Sequence, residues 1–446
     1  MLTIAILPVI IRLLKEYYFH KGGDFLSCFI DILCSFILPV LLIFSGLIFS
    51  VRYRLFFILH PQKTLKTALS SKSGGLRSLS VALAGTLGVG NIVGVSSAIM
   101  YGGAGSLFWM WVSAILAMSI KYCEVFLAMK YRRSTNGTFV GGAPYYINDG
   151  LSKAVGKRFA YVFSMIFAIL CIINSLSTGN LVQVNSVSSL LPVSPFCFGI
   201  VFATVALIVV IGKNERISKL TSILIPALSV FYVALCLFIL ITNLESLPDV
   251  IADIFKEAFS KKSVACGFLG YGFMSSLRYG ISRGILSNEA GCGTACAAHA
   301  SSNEKSPHTQ GCLGIFEVFL DTIVLCSLTG FVILLSGRPQ ENAMSLVLDA
   351  FYRYLGDFGA YSVSIACILF AFATVCAQFF YARESISYLT ASSFAQVIFT
   401  VIFVGVIIVG AIIPMELMWQ ISDLVIATLT ITNLFALWLL FNETKK

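Results

Sequence analysis

Gly85-Thr-Leu-Gly-Val-Gly-Asn-Ile-Val-Gly94, GTLGVGNIVG, lies in the middle of an apolar run from Leu76 to Met100 that is long enough to cross a bilayer. A plain spanning helix has no need of four glycines, a threonine and an asparagine at its centre. Close packing through small residues would account for Gly85, Gly90 and Gly94. It leaves Thr86 and Asn91, at the same depth, unexplained. A break in the helix accounts for all of them: glycine tolerates the unwound geometry. Freed backbone groups and half-helix ends then bind ions or a carboxylate. Gly88-Val-Gly90 also looks like the start of a dinucleotide loop, but the next glycine comes four residues beyond Gly90 and no strand or βαβ unit surrounds it.

Composition sets the class. The chain has 446 residues, 58% of them hydrophobic and 11% charged, too few polar groups to cover a soluble surface of that size. A spanning helix takes about 20 apolar residues. Eleven candidates follow, over roughly 28–51, 78–100, 105–129, 159–182, 194–212, 218–243, 264–286, 310–336, 358–381, 392–413 and 416–441. They are continuously apolar, unlike the alternating ten-residue strands of a membrane barrel, so the chain reads as an all-α polytopic membrane protein. Residues 1–27 read as an interfacial segment, because no small-residue cleavage site follows their short apolar run.

The net charge of +9 is spread over loops, which argues against a nucleic-acid surface. Arg52, Arg54, Lys63, Lys66, Lys72 and Arg77 precede the first broken segment without an acid among them, whereas loops 101–104 and 183–193 carry no charge. The positive-inside rule then puts the N-terminus outside and the C-terminus in the cytoplasm, with Arg12, Lys15 and Lys21 running against it. Most of the 13 cysteines sit inside apolar segments and read as small packing residues with reduced thiols. Cys292, Cys296 and His299 have helical spacing for a metal, but a fourth ligand is missing.

With segment 28–51 set aside as an extra helix, ten remain, five in 76–243 and five in 264–441. Each half opens on a glycine-interrupted segment, the second being CGFLGYGFMSSLRYGISRG with Gly267, Gly270, Gly272, Gly280 and Gly284. Broken segments at matching positions of two halves point to a transporter site, and an odd number of helices per half inverts one relative to the other. Other polar groups have two readings each. Ser287-Asn-Glu-Ala-Gly-Cys-Gly-Thr294 is expected near the cytoplasmic end as a cap or gate, with Arg283 pairing Glu289 across the turn. Gln183 can bind a ligand or a neighbouring helix. Lys121 and Glu124 are spaced for a helix pair. Glu317 and Asp321, acids in an apolar segment, are costly there; Asp321 suits proton coupling or a buried packing role.

ALAGTLGVGNIVGVSSAI, GSLFWMWVSAILAMSIKYCEVFLAMKYR, GGAPYYI, GNLVQVNS, SRGILSNEAGCGTA and IFEVFLDTIVLC resemble, in order, the hallmarks of the alanine or glycine:cation symporter family, over about residues 74 to 440. The resemblance implies a LeuT-like core of two inverted five-helix repeats preceded by one extra helix. It also implies uptake of alanine or glycine across the cell membrane, driven by sodium or, in some members, protons, with no organic cofactor. By that resemblance Thr86, Gly88, Gly90 and Asn91 hold the amino acid with Gln183 nearby. Gly270 and Gly272 face it from the second half, and sodium lies among Gly85, Thr86, Gly88 and Thr374. Arg283, Ser287, Asn288, Glu289 and Asp321 form a gate or structural motif. Gln378 stands where members commonly carry a tryptophan over the pocket, so a loosened or more polar pocket is expected there. A membrane enzyme built on Glu289, Cys292, Cys296 and His299, or an ion channel, are the competing classes.

Overall fold

The computed structural model describes residues 29–30, 32–53, 56–71, 73–135, 137–212, 214–259, 271–337 and 342–444. The interfacial segment 1–27 and Gly270 lie outside these residues. Helix α1 (Leu38–Arg52) precedes the core. The first half begins with α2 (Ser73–Thr86) and α3 (Val93–Gly102), joined by a 3-10 turn at Val89–Asn91 and bent by 62°. It continues with α4 (Gly105–Lys130), then α5 (Lys157–Leu176) and α6 (Val182–Ser188) as one span through a π-helical turn, α7 (Pro195–Val210) and α8 (Asn214–Thr242). Helix α9 (Leu247–Ala258) links the halves.

The second half opens with α10 (Tyr271–Asn288) and the short α11 (Cys296–Ala300). Helices α12 (Pro307–Val318) and α13 (Ser327–Ser336) form one span through the π-helical turn Phe319–Cys326. Then come α14 (Ala343–Leu389), kinked at Gly356, α15 (Ser393–Ile412) and α16 (Met415–Leu439). Among the described residues seven helices are long and apolar enough to cross a membrane, eight counting the bent pair as one span, and α1 and α7 are shorter apolar helices. The expected eleven are not reached on this measure; the remaining segment corresponds to α10. A two-stranded hairpin, Arg133–Thr135 against Thr138–Val140, follows α4 and departs from the all-helical reading.

Polarity is arranged as a bilayer requires. Val230, Phe238, Phe394, Val397 and Val401 point outward, whereas Asn91, Gln183, Ser287, Asp321, Thr374 and Gln378 are buried. Helices α4 and α14 are central, with 83% and 78% of their apolar windows buried, and α15 is peripheral at 28%. Both broken segments pack on these central helices.

Among the described residues of 264–286, which begin at Tyr271, the chain is not broken. Helix α10 runs unbroken through Gly280 and Gly284, where an added Cβ would stand 2.5 Å from the Ser106 carbonyl oxygen and 2.7 Å from Ser113 Oγ. Those glycines let α10 cross α4 closely. The chain leaves the helix only at Glu289, whose φ of 49° is followed by 90° at Gly291 and 73° at Gly293. Left-handed backbone, not the number of glycines, marks the interruption.

Candidate functional site

At the first break Leu87 and Gly88 leave α2, and Gly88 takes an extended conformation. A continuous helix would satisfy the Val89 N–H with a carbonyl four residues back. Here Val89 N–H donates to Gln183 Oε1 at 3.0 Å. A Cβ at Gly88 would lie 2.5 Å from that oxygen and 2.7 Å from Thr374 Oγ1, so the absence of a side chain is what lets both approach the backbone. Thr374 Oγ1 donates its own proton to the Phe370 carbonyl at 3.0 Å. Its lone pairs are therefore left for a cation beside the break, and hard oxygen ligands suit an alkali ion.

Asn91 joins this break to the second. Its Nδ2 donates to Asp321 Oδ1 at 2.7 Å and to the Asp321 carbonyl at 3.1 Å. The other carboxylate oxygen of Asp321 accepts from Ser287 Oγ and Thr322 Oγ1, each at 2.7 Å. Ser287 sits at the end of α10, with its Cα 3.4 Å from where a Cβ on Gly90 would be. One carboxylate thus ties together α10, the first break and the π-helical turn that carries it.

The second break is held both from within and by neighbouring helices. Asn288 Oδ1 accepts from the Ala290 N–H at 3.0 Å, and Asn288 Nδ2 donates to Thr322 Oγ1 at 3.1 Å. The Glu289 carboxylate accepts from Thr294 Oγ1 and, at 2.7 Å, from Gln378 Nε2. Lys121 Nζ reaches the Asn288 carbonyl at 3.3 Å, where the C-terminal end of α10 carries partial negative charge. It pairs with Glu317 at 3.1 Å, and His299 Nε2 contacts the other Glu317 oxygen at 2.8 Å.

Several expected contacts are replaced. Lys121 pairs with Glu317 and not with Glu124, which instead accepts from Asn433 Nδ2 at 2.5 Å. Arg283 bonds Asp423 at 2.7 Å and stacks over Trp419, so it does not meet Glu289. Ser287 and Asn288 do end a helix, α10, and that end lies beside the first break, where Ser287 shares Asp321 with Asn91. Gly272 begins α10, fifteen residues before Ser287 and roughly 22 Å away along the axis, and is not brought to the breaks. Gln378 does not loosen its surroundings: its side chain packs where a Cβ on Gly179 would come within 2.5 Å, and its backbone carbonyl accepts from Ser175 Oγ at 2.7 Å. No three metal-ligating side chains converge among the described residues; both His299 ring nitrogens are engaged, Nδ1 with Gln310 at 2.7 Å.

The structure does bring Gly85, Thr86, Gly88, Gly90, Asn91, Gln183 and Thr374 around one break. Two further contributors were not singled out by sequence. Tyr381 Oη fills the notch at Gly85, and Asn433 bridges Glu124, Tyr146 and the Gly291 carbonyl. An asparagine in an apolar helix is the signal that would have found the second. A narrow apolar pocket lies beside Gly88 and Asn91, with Tyr232, Leu325 and Phe370 among its walls.

Comparison with known proteins fits this geometry. The chain is 32% identical to the sodium/alanine symporter AgcS of Methanococcus maripaludis, over 88% of this chain and 88% of that one. It is 30% identical to the probable sodium/glutamine symporter GlnT of Bacillus subtilis, over 92% and 86%. The crystal structure of MhsT in complex with L-phenylalanine superposes with a TM-score of 0.56 at 15% identity, covering 84% of this chain and 90% of that one, which shows a shared LeuT-like fold. The family model described as "Sodium:alanine symporter family" matches residues 22–446. The protein is therefore a multi-pass membrane transporter, not an enzyme, and belongs to the sodium:alanine symporter family.

Proposed function

We propose that the protein carries a small neutral amino acid, alanine or glycine, into the cell together with sodium by alternating access. The observation that carries this reading is the convergence of Gln183 Oε1 and Thr374 Oγ1 on the bare backbone of Gly88. That meeting supplies hard oxygens for a cation next to unwound backbone. The N-terminal end of α3 supplies donors for a carboxylate, since helix N-termini carry partial positive charge. Apolar walls at Leu325 and Phe370 suit a methyl group or a hydrogen in place of a long amide side chain.

In this reading the repeats span 76–243 and 264–441, the N-terminus is outside and the C-terminus cytoplasmic. Sodium, as a co-transported substrate, stabilises the first break. The amino acid then completes the link to Ser287 and Asp321, and closure of the two halves follows from its better fit to one state. The test is uptake of labelled alanine into proteoliposomes with and without an inward sodium gradient. Accumulation above equilibrium only with the gradient is expected, and tenfold excess glutamine should compete poorly. Accumulation indifferent to both sodium and proton gradients contradicts symport, and flux that never exceeds equilibrium contradicts transport against a gradient.

A further inference from the structure

Outside the two breaks, the feature with the most chemistry left over is a hollow of about 660 Å³ between the end of α1, the helix Pro61–Leu69 and the start of α12. Its lining carries the cations Arg52 and Lys63 and the imidazole of His60, with Thr64, Thr67 and Thr444 adding hydroxyls, and no carboxylate is among its described lining residues. Its floor is the Tyr122–His308 pair, in contact at 2.8 Å. His60, Lys63, Thr64 and Thr67 follow the i, i+3, i+4, i+7 spacing of one helical face.

Another face of the same helix is apolar and uncovered. Leu65 and Leu69 are exposed one turn apart, and Ile58 and Leu59 are exposed just before the helix. Such a helix lies in the membrane interface with its leucines among acyl chains. The hollow is then at headgroup depth, with its bases facing inward. Arg52 adds the sharpest point: its Nη2 is buried yet donates no hydrogen bond among the described residues, while the guanidinium lies over the Phe441 ring at 4.7 Å. Guanidinium forks match phosphate oxygens, and a buried donor without an acceptor is costly.

We infer that this hollow binds the phosphate of an anionic lipid headgroup, held by Arg52 and Lys63 with the threonine hydroxyls completing its oxygens. The lipid bridges the extra helix α1 to the core helices α4 and α12. Basic pockets between membrane helices favour such headgroups over zwitterionic ones.

The test is titration of the purified full-length protein in detergent with short-chain phosphatidylglycerol, read by native mass spectrometry and thermal shift. Wild type should bind at least tenfold more tightly than the Arg52→Gln/Lys63→Gln variant, and phosphatidylcholine should not substitute. Thr67→Asp, which puts a carboxylate beside the hollow, should also lose binding while remaining monodisperse on size exclusion. Equal phosphatidylglycerol binding by wild type and both variants overturns the proposal. So does phosphatidylcholine binding as well as phosphatidylglycerol, or inorganic phosphate at equal concentration displacing the lipid.

Discussion

The two helix breaks solve one problem in different ways. The first has no charged side chain of its own, and its unwound backbone is satisfied by Gln183 from another helix. The second turns through three left-handed residues and is fixed at many points, with Asn288 on Ala290, Thr294 on Glu289, and Thr322, Gln378 and Asn433 reaching it from other helices. A break satisfied by distant side chains can exchange those partners for a ligand. One anchored at many points keeps its shape. The first is therefore proposed as the binding element and the second as the frame against which it moves; Asp321 hydrogen-bonds to both.

The largest expected effect is at the first break. Gly88→Val must push aside Gln183 and Thr374, and uptake should fall by at least about 100-fold, as for loss of a positioned group, with the protein still folded by size exclusion. Near-normal uptake would remove Gly88 from the site. On the frame, Glu317→Gln leaves Lys121 buried without its carboxylate, a change expected to cost about 3–5 kcal/mol of stability. A melting temperature within a degree of wild type would show that Lys121 is satisfied elsewhere.

A smaller effect tests whether the second break is anchored at many points. Gln378→Leu removes one donor to Glu289 but leaves Thr294, so transport should change by less than about tenfold, the worth of one hydrogen bond. Abolished transport would make Gln378 part of the binding element instead. The smallest effect is a surface control. Lys130 at 2.6 Å holds the Glu443 carboxyl below the usual carboxylate range. A depressed folded value contributes stability above the unfolded pKa of about 4.3, which is lost as pH falls through the folded one. Glu443→Gln should therefore lower the melting temperature by less than about 2 °C at pH 7. The difference should vanish in acid, and an effect as large as that of Glu317→Gln would overturn the contrast between buried and exposed pairs.

The first break was legible in the sequence because its signal is local: glycines, Thr86 and Asn91 crowd ten residues of an otherwise apolar run. The second was displaced because glycine has two uses. At Gly280 and Gly284 it permits a close helix crossing, whereas at Gly291 and Gly293 it permits left-handed backbone, and composition does not distinguish the two. Charge pairing by spacing failed for a related reason. Lys121 and Glu124 are neighbours on their helix, yet burial lets each find a better partner across the bundle, in Glu317 and Asn433. Local spacing sets which residues can meet along one helix. Tertiary packing decides which do.

The central claim is that the first break binds the co-transported cation through Thr374. Its most direct test is the sodium dependence of alanine binding to the purified transporter, wild type against Thr374→Val, followed by thermal stabilisation. The account predicts that the variant needs at least about tenfold more sodium for half-maximal effect, the loss of about one ligand-sized interaction, with alanine affinity at saturating sodium within threefold of wild type. An unchanged sodium dependence in a folded Thr374→Val protein would contradict it.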